Sequence, residues 1–270
     1  MSDLLVSGAF LAFVLFFAAG EKAKYAALAG WSFLLLNIWS DLPAYLAEKN
    51  FLYPLIALLA LPFLYITAGR LLKGDPTVIQ LSRAAAVATI IWVPLAFVPF
   101  LRDSLTALVA GIAFAVITAL GHHPQLMAGD VIAENGFYNK IIPGCTGILA
   151  TAVMLGVVFS ERDLSRRQAA AGLLLVVPPI FILNLLRVAG VFIAVSDRWF
   201  ASFPDPTGTG RADFFYAHNV IAEALALLFL VLLVLALVRV IPRLGFFLRG
   251  LAAVYLGRPA GGTVAERKIP

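Results

Sequence analysis

Eight long apolar segments, separated by short polar connections, constrain the fold of this chain more than any other feature of its sequence. They cover residues 4–19, 25–46, 51–69, 84–101, 104–121, 144–160, 168–196 and 214–240. An apolar run of about 18 residues or more can cross the hydrocarbon layer of a membrane as a helix. Backbone polar groups in lipid must be satisfied within the protein, so these segments should be helical. The sequence therefore predicts an all-α fold, a polytopic integral membrane bundle with about eight transmembrane helices.

Composition argues against a soluble globular protein. Hydrophobic residues make up 62% of the 270 residues and charged residues only 13%, whereas soluble domains average about 45–50% apolar and about 25% charged residues. No repeat or soluble linker divides the chain, so we expect one membrane-embedded domain over 1–270 with a basic cytoplasmic tail at 241–270. The run 4–19 lacks a basic flank before it, which favours an uncleaved first helix over a signal peptide.

The distribution of lysine and arginine predicts the orientation. Three arginines lie in the connection 161–167, and further basic residues follow segment eight, so both regions should face the cytoplasm of a plasma-membrane protein. The loops 122–143 and 197–213 are then extracellular. Eight crossings from a cytoplasmic N-terminus would leave five basic residues outside, whereas a single crossing over 84–121 would bring them inside. These residues are Lys22, Lys24, Arg70, Lys73 and Arg83.

The net charge of +5 is explained by basic residues at the ends of apolar runs, where they contact anionic lipid head groups. We therefore expect no nucleic-acid partner. The single cysteine excludes an intrachain disulfide and a multi-cysteine metal site. We expect neither a metal nor a cofactor.

Reactive side chains collect at the extracellular ends of three segments. Cys145 is expected in the first turn of segment six, where the positive end of the helix dipole favours a thiolate. Arg187 should lie about two turns below the outer end of segment seven, and His218 in the first turns of segment eight. Taken one at a time, a membrane cysteine is often an inert small apolar residue, and an arginine often extends its charged end to the membrane surface. A single histidine at a helix end is often just a hydrogen-bonded polar residue. Their common depth predicts a catalytic site.

Four neighbours are expected to support this site. Asn184 precedes Arg187 by one helical turn on the same face and is placed to orient it. The other three adjoin the catalytic residues in sequence and are Thr146, Tyr216 and Asn219. Glu223 stands five residues after His218, so an α-helix would point it elsewhere, as a buried partner for a polar group.

Two other classes of protein are open at this point. A metallopeptidase could use His122, His123, Asp130 and Glu134 in the loop 122–143, but adjacent histidines diverge and no His-Glu-x-x-His motif occurs. A small polytopic transporter could line a path with Arg187 and Glu223. Transporters often contain two related halves with interrupted helices, and the sequence has no such repeat.

The quoted segments resemble the archaeosortase/exosortase family, and within it the archaeosortase A group. The resemblance is carried by Cys145-Thr146-Gly147-Ile148, by Leu183-Asn184-Leu185-Leu186-Arg187 with Val191-Phe192-Ile193, and by Phe214-Phe215-Tyr216-Ala217-His218-Asn219. Leu101-Arg102-Asp103 and Val240-Ile241-Pro242 extend it, so that residues 90–245 would form the catalytic half. One departure concerns the third catalytic position, where some archaeosortase A members carry arginine and this chain, like exosortases, carries histidine.

The resemblance implies a membrane cysteine transpeptidase acting on surface proteins, such as S-layer glycoprotein, that end in a sorting signal. Such a signal consists of a short motif (Pro-Gly-Phe for archaeosortase A), a transmembrane helix and a basic end. The enzyme would cut near the motif and transfer the new C-terminus to a membrane lipid. Cys145 would form a thioester, Arg187 would stabilise the oxyanion and His218 would transfer protons. A cysteine protease that only hydrolyses the signal is the alternative.

Overall fold

In the computed structural model, residues 2–47, 52–208 and 210–257 are described, and they form a helical bundle with a small sheet at one end. The helices are α1 (Ser2–Ala19), α2 (Lys24–Ala47), α3 (Leu52–Leu72), α4 (Pro76–Phe97), α5 (Pro99–Ala119), α6 (Ile148–Phe159), α7 (Arg166–Ser196), α8 (Ala212–Val240) and α9 (Pro242–Leu256). The antiparallel strands β1 (Gln125–Met127), β2 (Val131–Glu134) and β3 (Phe137–Lys140) form a meander between α5 and α6. The final residues, 258–270, of the predicted tail lie outside the described part of the chain.

Each of the eight predicted apolar segments is helical over most of its described length, which confirms the prediction of an all-α, multi-pass membrane bundle. Six helical stretches of the described chain are long and apolar enough to cross a membrane, and the first, Asp3–Leu46, contains both α1 and α2. At 12 residues, α6 is only about 18 Å long, less than the roughly 30 Å hydrocarbon layer. In contrast, α7 has 31 residues and extends beyond such a layer by several turns.

Polar contacts gather several connections at one end of the bundle, which we call the basic face. It comprises residues 20–24, 70–83, 160–167 and 239–249. Arg162 lies 3.1 Å from Glu21, and the Nζ of Lys24 donates to the carbonyl oxygen of Leu72 at 2.8 Å. The five basic residues whose side was uncertain from the sequence are therefore on the same face as the arginine-rich connection 161–167.

The stretch from α4 to α5 makes one net crossing of the bundle. The start of α4 is tied to the basic face by a hydrogen bond from Gln80 to Ser160 at 3.3 Å, whereas His122, just past α5, lies 3.7 Å from Asp197 at the far end of α7. An extended Val98 separates the two helices, because Pro99 restricts the residue before it. This is the single-crossing alternative for 84–121.

The sheet is fastened to the far end of α7. Its two-residue turn at Asn135 and Gly136 has positive φ at both positions, as a type I′ hairpin requires. The carboxylate of Glu134 accepts hydrogen bonds from the His123 N–H at 2.7 Å and from Ser196 at 3.3 Å. Burial alone would raise the pKa of Glu134, but these hydrogen bonds and the one with His122 hold it below its ordinary value. The sheet is thereby held over the C-terminal half of α7.

Small residues allow the helices to pack closely. A Cβ on Gly156 of α6 would lie only 2.3 Å from the carbonyl oxygen of Ala84 on α4, so α4 and α6 are in backbone contact at this point. Close packing of this kind, rather than transfer of apolar surface from water, holds helices together in lipid. A buried cluster that includes Val109, Ile132, Leu185 and Phe192 joins α5, the sheet and α7, and it forms a rigid wall behind the site described next.

Candidate active site

Cys145 lies in a short 3₁₀ turn, Pro143–Cys145, that precedes α6. The helix itself begins at Ile148, after Gly147 in the left-handed conformation with a φ of 74°. The sequence analysis expected Cys145 in the first turn of this helix. The structure instead places it two residues before the N-cap. The reason is the left-handed residue, which only glycine adopts without a steric cost and which separates the turn from α6.

Thr146 and Asn184 hold this turn in place. Thr146 is buried, and its Oγ1 donates to the carbonyl oxygen of Pro143 at 2.7 Å. The buried side chain of Asn184 on α7 donates from Nδ2 to the carbonyl oxygen of Cys145 at 2.7 Å. Both predicted supporting residues thus hold the turn that carries Cys145, and Asn184 links this turn directly to the helix that carries Arg187.

Arg187, His218 and Asn219 form a chain of hydrogen bonds. The Nη2 of Arg187 lies 3.0 Å from Nε2 of His218, and Nδ1 of His218 lies 2.8 Å from Oδ1 of Asn219. A guanidinium can only donate, so Nε2 must accept. The imidazole is then neutral with its proton on Nδ1, which donates to Asn219. Asn219 therefore selects the tautomer that presents a lone pair on Nε2.

A π-helical segment, Phe215–Ala222, interrupts the start of α8. Its hydrogen bonds join residues five apart, and such segments occur frequently at functional sites. Glu223 follows directly after this segment, close enough for the positive charge of Arg187 to act on its carboxyl group. Regular helical spacing pointed Glu223 elsewhere, and the wider turn changes that spacing. The Nε of Arg187 is buried and makes no hydrogen bond within the described chain.

One cavity of about 800 Å³ contains the three predicted catalytic residues. Cys145, Arg187 and His218 all line it, and so does Asn219. The ring of Phe214 stacks on the imidazole of His218, with ring centroids 4.8 Å apart. A thiol, a guanidinium and an oriented imidazole around one space can carry out acyl transfer through a covalent intermediate.

The loop 197–211 closes one side of this cavity through Thr207. Asp205 accepts hydrogen bonds from the Thr207 hydroxyl at 2.6 Å and from the Gly210 N–H at 2.6 Å. The hydrogen bond from the Thr207 side chain is the main reason why the pKa of Asp205 falls to about 2. The hydroxyl of Tyr216 donates to the carbonyl oxygen of Pro204 at 3.1 Å, so this predicted supporting residue holds the loop rather than lining the cavity.

Two basic residues of the cavity lining were not predicted from the sequence. Lys140, at the end of β3, and Arg211, just before α8, line the same space as Cys145. Each is an isolated basic residue in a loop region, and no periodicity or motif distinguishes such a residue from a solvated surface charge. Their placement depends on the sheet and on the return of the loop 197–211.

The residues of the metallopeptidase hypothesis are not assembled into a metal site. The Nδ1 of His122 lies 3.1 Å from Glu134, whose other carboxylate oxygen accepts from the backbone of His123. The carboxylate of Asp130 instead lies 3.9 Å from Lys140. Within the described chain, no group of three or more His, Cys, Asp or Glu side chains is arranged to hold a metal ion.

Comparison with known proteins gives a consistent result. The model of the family described as transmembrane exosortase matches residues 4–230. The chain is similar to archaeosortase A of Haloferax volcanii, with 28% identity over 251 residues, which cover 83% of this chain and 82% of that protein. It is also similar to archaeosortase A of Natronomonas pharaonis, with 27% identity over 261 residues, which cover 84% of this chain and 82% of that protein. No solved structure matches it.

Proposed function

This chain belongs to the transmembrane exosortase family, and we propose that it is a membrane cysteine transpeptidase. Its archaeosortase relatives support a membrane-embedded, sortase-like processing enzyme. In the finer proposal, it cleaves a C-terminal sorting signal of the Pro-Gly-Phe type from surface proteins and transfers the new C-terminus to a membrane lipid. The observation that carries this proposal is the shared cavity of Cys145, Arg187 and His218. That cavity falls within the proposed catalytic half, residues 90–245.

The orientation of the site follows from the charges of the basic face. Lysines and arginines concentrate on the cytoplasmic side of membrane proteins, so the basic face is assigned to the cytoplasm. Asn184, which contacts the Cys145 turn, lies 18 residues along α7 from Arg166, a rise of about 27 Å. The catalytic residues are then near the outer boundary of the hydrocarbon layer. We propose a plasma-membrane enzyme whose active site faces the extracellular side.

The resting site keeps the base and the oxyanion-binding group together. The lone pair of His218 Nε2 accepts from Arg187, so it is occupied until the guanidinium finds another acceptor. A substrate carbonyl entering the cavity supplies that acceptor. Arg187 then turns to the carbonyl oxygen and releases Nε2, which takes the proton from the thiol of Cys145. Substrate binding and activation of the nucleophile are thus coupled through one side chain.

The first half-reaction forms the acyl-enzyme. The Cys145 thiolate attacks the scissile carbonyl carbon, a C–S bond forms, and the negative charge on oxygen is stabilised by Arg187. A single oxyanion-binding group is typically worth about 3–4 kcal/mol in the transition state. As the C–N bond breaks, His218 gives its proton to the leaving amine. The product is a thioester between Cys145 and the surface protein.

The second half-reaction releases the protein. The amine of a lipid attacks the thioester, the C–S bond breaks, and His218 accepts the proton that the new amide loses. Water can attack in the same way and would leave a free carboxylate. The site lies at the level of lipid head groups, where membrane amines are concentrated, and this favours transfer.

Processing of a substrate tests the proposal. A surface protein with a Pro-Gly-Phe motif, an apolar helix and a basic end would be co-expressed with the wild type or with Cys145→Ala, Arg187→Ala or His218→Ala. We expect each variant to be present in the membrane and to leave the substrate unprocessed. Normal processing by Cys145→Ala would overturn the cysteine mechanism, and it is the result that a transporter or a metallopeptidase would give.

A further inference from the structure

We propose that Lys140 and Arg211 form a binding site for the phosphate of the acceptor lipid, and that the groove between α6, α7 and α8 holds a hydrocarbon chain of the same lipid. This inference rests on the proposed transfer to a lipid amine. It specifies the chemistry of that acceptor as an aminophospholipid. It also assigns two cations, which the catalytic steps do not use, to acceptor binding.

The charge of the cavity is the first observation. Its lining includes the cations Lys140, Arg187 and Arg211 and no carboxylate. The lysine has one acidic neighbour, Asp130, at 3.9 Å, and an exposed contact of that length contributes little. The side chain of Arg211 makes no ion pair or hydrogen bond within the described part of the chain. The cavity therefore has two cations available for an anionic ligand.

A lipid phosphate fits this arrangement. Guanidinium and ammonium groups are the usual partners of phosphate oxygens, and anionic groups are concentrated at the level of lipid head groups. In an aminophospholipid the primary amine is a short chain away from the phosphate. A phosphate held by Lys140 and Arg211 would place that amine in the space lined by Cys145 and His218. Lys140 and Arg211 would only position the lipid, because its phosphate takes no part in the reaction.

The second observation is an apolar groove that meets the cavity at Arg187. Its volume is about 290 Å³. Apart from Asn184 and Arg187, its lining is apolar or small: Gly144, Gly147, Leu149, Ala150, Ile180, Leu183, Ala222, Leu225, Ala226, Phe229 and Leu230. An apolar lining of this kind suits a hydrocarbon chain, and the continuity of the groove with the cationic cavity at Arg187 favours a lipid chain as its occupant.

Together the two spaces match an amphiphile. The cationic compartment takes the head group, the groove takes the chain, and Arg187 marks the junction. The chemical step is an exchange of bonds at the acyl carbon: the N–C bond forms, the C–S bond to Cys145 breaks, and His218 takes the amine proton and passes it to the sulfur of Cys145. A thioester and an amine thus give an amide and a thiol.

The test compares two amines in reconstituted vesicles. The full-length protein would be supplied with a sorting-signal substrate and either a phosphoethanolamine-headed lipid or a long-chain primary amine without phosphate. Mass spectrometry would give the ratio of lipidated to hydrolysed product. Lys140→Gln with Arg211→Gln should lower this ratio about tenfold with the phospholipid and leave it unchanged with the simple amine. Arg198→Gln removes an exposed cation of the loop 197–211 that does not line the cavity and serves as the matched control.

The outcomes are distinguishable. If the wild type makes lipidated product and the double variant keeps the same ratio with the phospholipid, the phosphate site is overturned while the proposed function stands. If the wild type yields only a free carboxylate with both amines, transfer itself fails, and the inference fails with it. For the groove, Ala226→Phe should lower the ratio, whereas Leu227→Phe, on the adjacent lipid-facing position, should not. If Ala226→Phe instead lowered the rate of cleavage and left the ratio of lipidated to hydrolysed product unchanged, the groove would bind the substrate helix and not the lipid chain.

Discussion

Arg187 donates a hydrogen bond from Nη2 to Nε2 of His218 across 3.0 Å, so the guanidinium occupies the lone pair of the imidazole that we propose as the base. The contact joins α7 to the π-helical start of α8. Since a neutral imidazole has only one acceptor nitrogen, His218 cannot take a proton from Cys145 until this bond breaks. The two residues are therefore expected to act as one unit, and changes to either should have similar effects on catalysis.

Arg187→Lys should not restore activity. A lysine keeps the charge but cannot present two N–H donors in one plane, and so cannot serve His218 and a carbonyl in turn with the same geometry. We expect the rate of substrate cleavage to fall by about 10²–10³-fold, the usual cost of losing an oxyanion donor. The measurement is the single-turnover rate of cleavage in vesicles. Arg198→Lys, outside the cavity, is the control and should cleave at the wild-type rate. Cleavage at the wild-type rate by Arg187→Lys would mean that the mechanism does not require the planar N–H donors of arginine.

Arg187 and Glu223 should be energetically coupled. Removing one member of a charge pair at membrane depth leaves the other charge without its partner, which is costly. In a double-mutant cycle of thermal unfolding in detergent, Arg187→Met and Glu223→Gln together should destabilise less than the sum of the single changes, by about 1–3 kcal/mol.

The pair Arg162 and Glu21 is the matched control for that cycle. Both side chains are 57% exposed, and exposed pairs are worth about 0–1 kcal/mol. Arg162→Gln and Glu21→Gln should therefore show little coupling. Additive effects at Arg187 and Glu223 would mean that the two side chains do not form a charge pair.

Gly147→Ala should displace the nucleophile. The residue has a φ of +74°, and an added Cβ would lie 3.1 Å from Asn184, the side chain that holds the Cys145 turn. We expect a loss of about 1–2 kcal/mol from the left-handed conformation and a cleavage rate reduced more than tenfold, because the hydrogen bond from Asn184 is disturbed. Gly190→Ala, which meets open space in α7, should leave both stability and cleavage nearly unchanged. Equal behaviour of the two variants would show that the Cys145 turn tolerates movement.

Much of the bundle could be predicted from the sequence because hydropathy and length determine membrane helices directly. The break between the fourth and fifth apolar segments was predicted at residues 102–103, and it lies at Val98 and Pro99. The number of crossings was left open, since two helices joined by one extended residue have the same hydropathy as two separate spans. The Asn135-Gly136 pair was a usable hairpin signal for the sheet, but strands of three and four residues leave little alternating pattern around it.

The candidate site was predictable only in part. The order of Cys145, Arg187 and His218 along helices of alternating direction indicated one site, and the structure brings all three to one cavity. Glu223 was missed because the wider π-helical turn changes which residues share a face, and no sequence rule announced that turn. Lys140 and Arg211 were missed because their positions are set by tertiary packing of the sheet and loop.

Labelling can decide the sidedness of the bundle. In a Cys145→Ala background, single cysteines would be introduced as Thr207→Cys, in the loop that lines the cavity, and Lys24→Cys, on the basic face. A membrane-impermeant maleimide should label the first in intact cells and the second only after permeabilisation, because lysines and arginines concentrate inside. The reverse pattern would place the active site in the cytoplasm and exclude transfer at the outer leaflet.

The most direct measurement is the mass of the C-terminal peptide of a processed substrate. Both possible fates pass through the same thioester on Cys145, and only the group that attacks it differs. The account predicts a peptide that ends at the sorting motif and carries a lipid in amide linkage, absent when the enzyme is Cys145→Ala. A free carboxylate as the sole product would contradict the transpeptidase and leave a membrane cysteine protease.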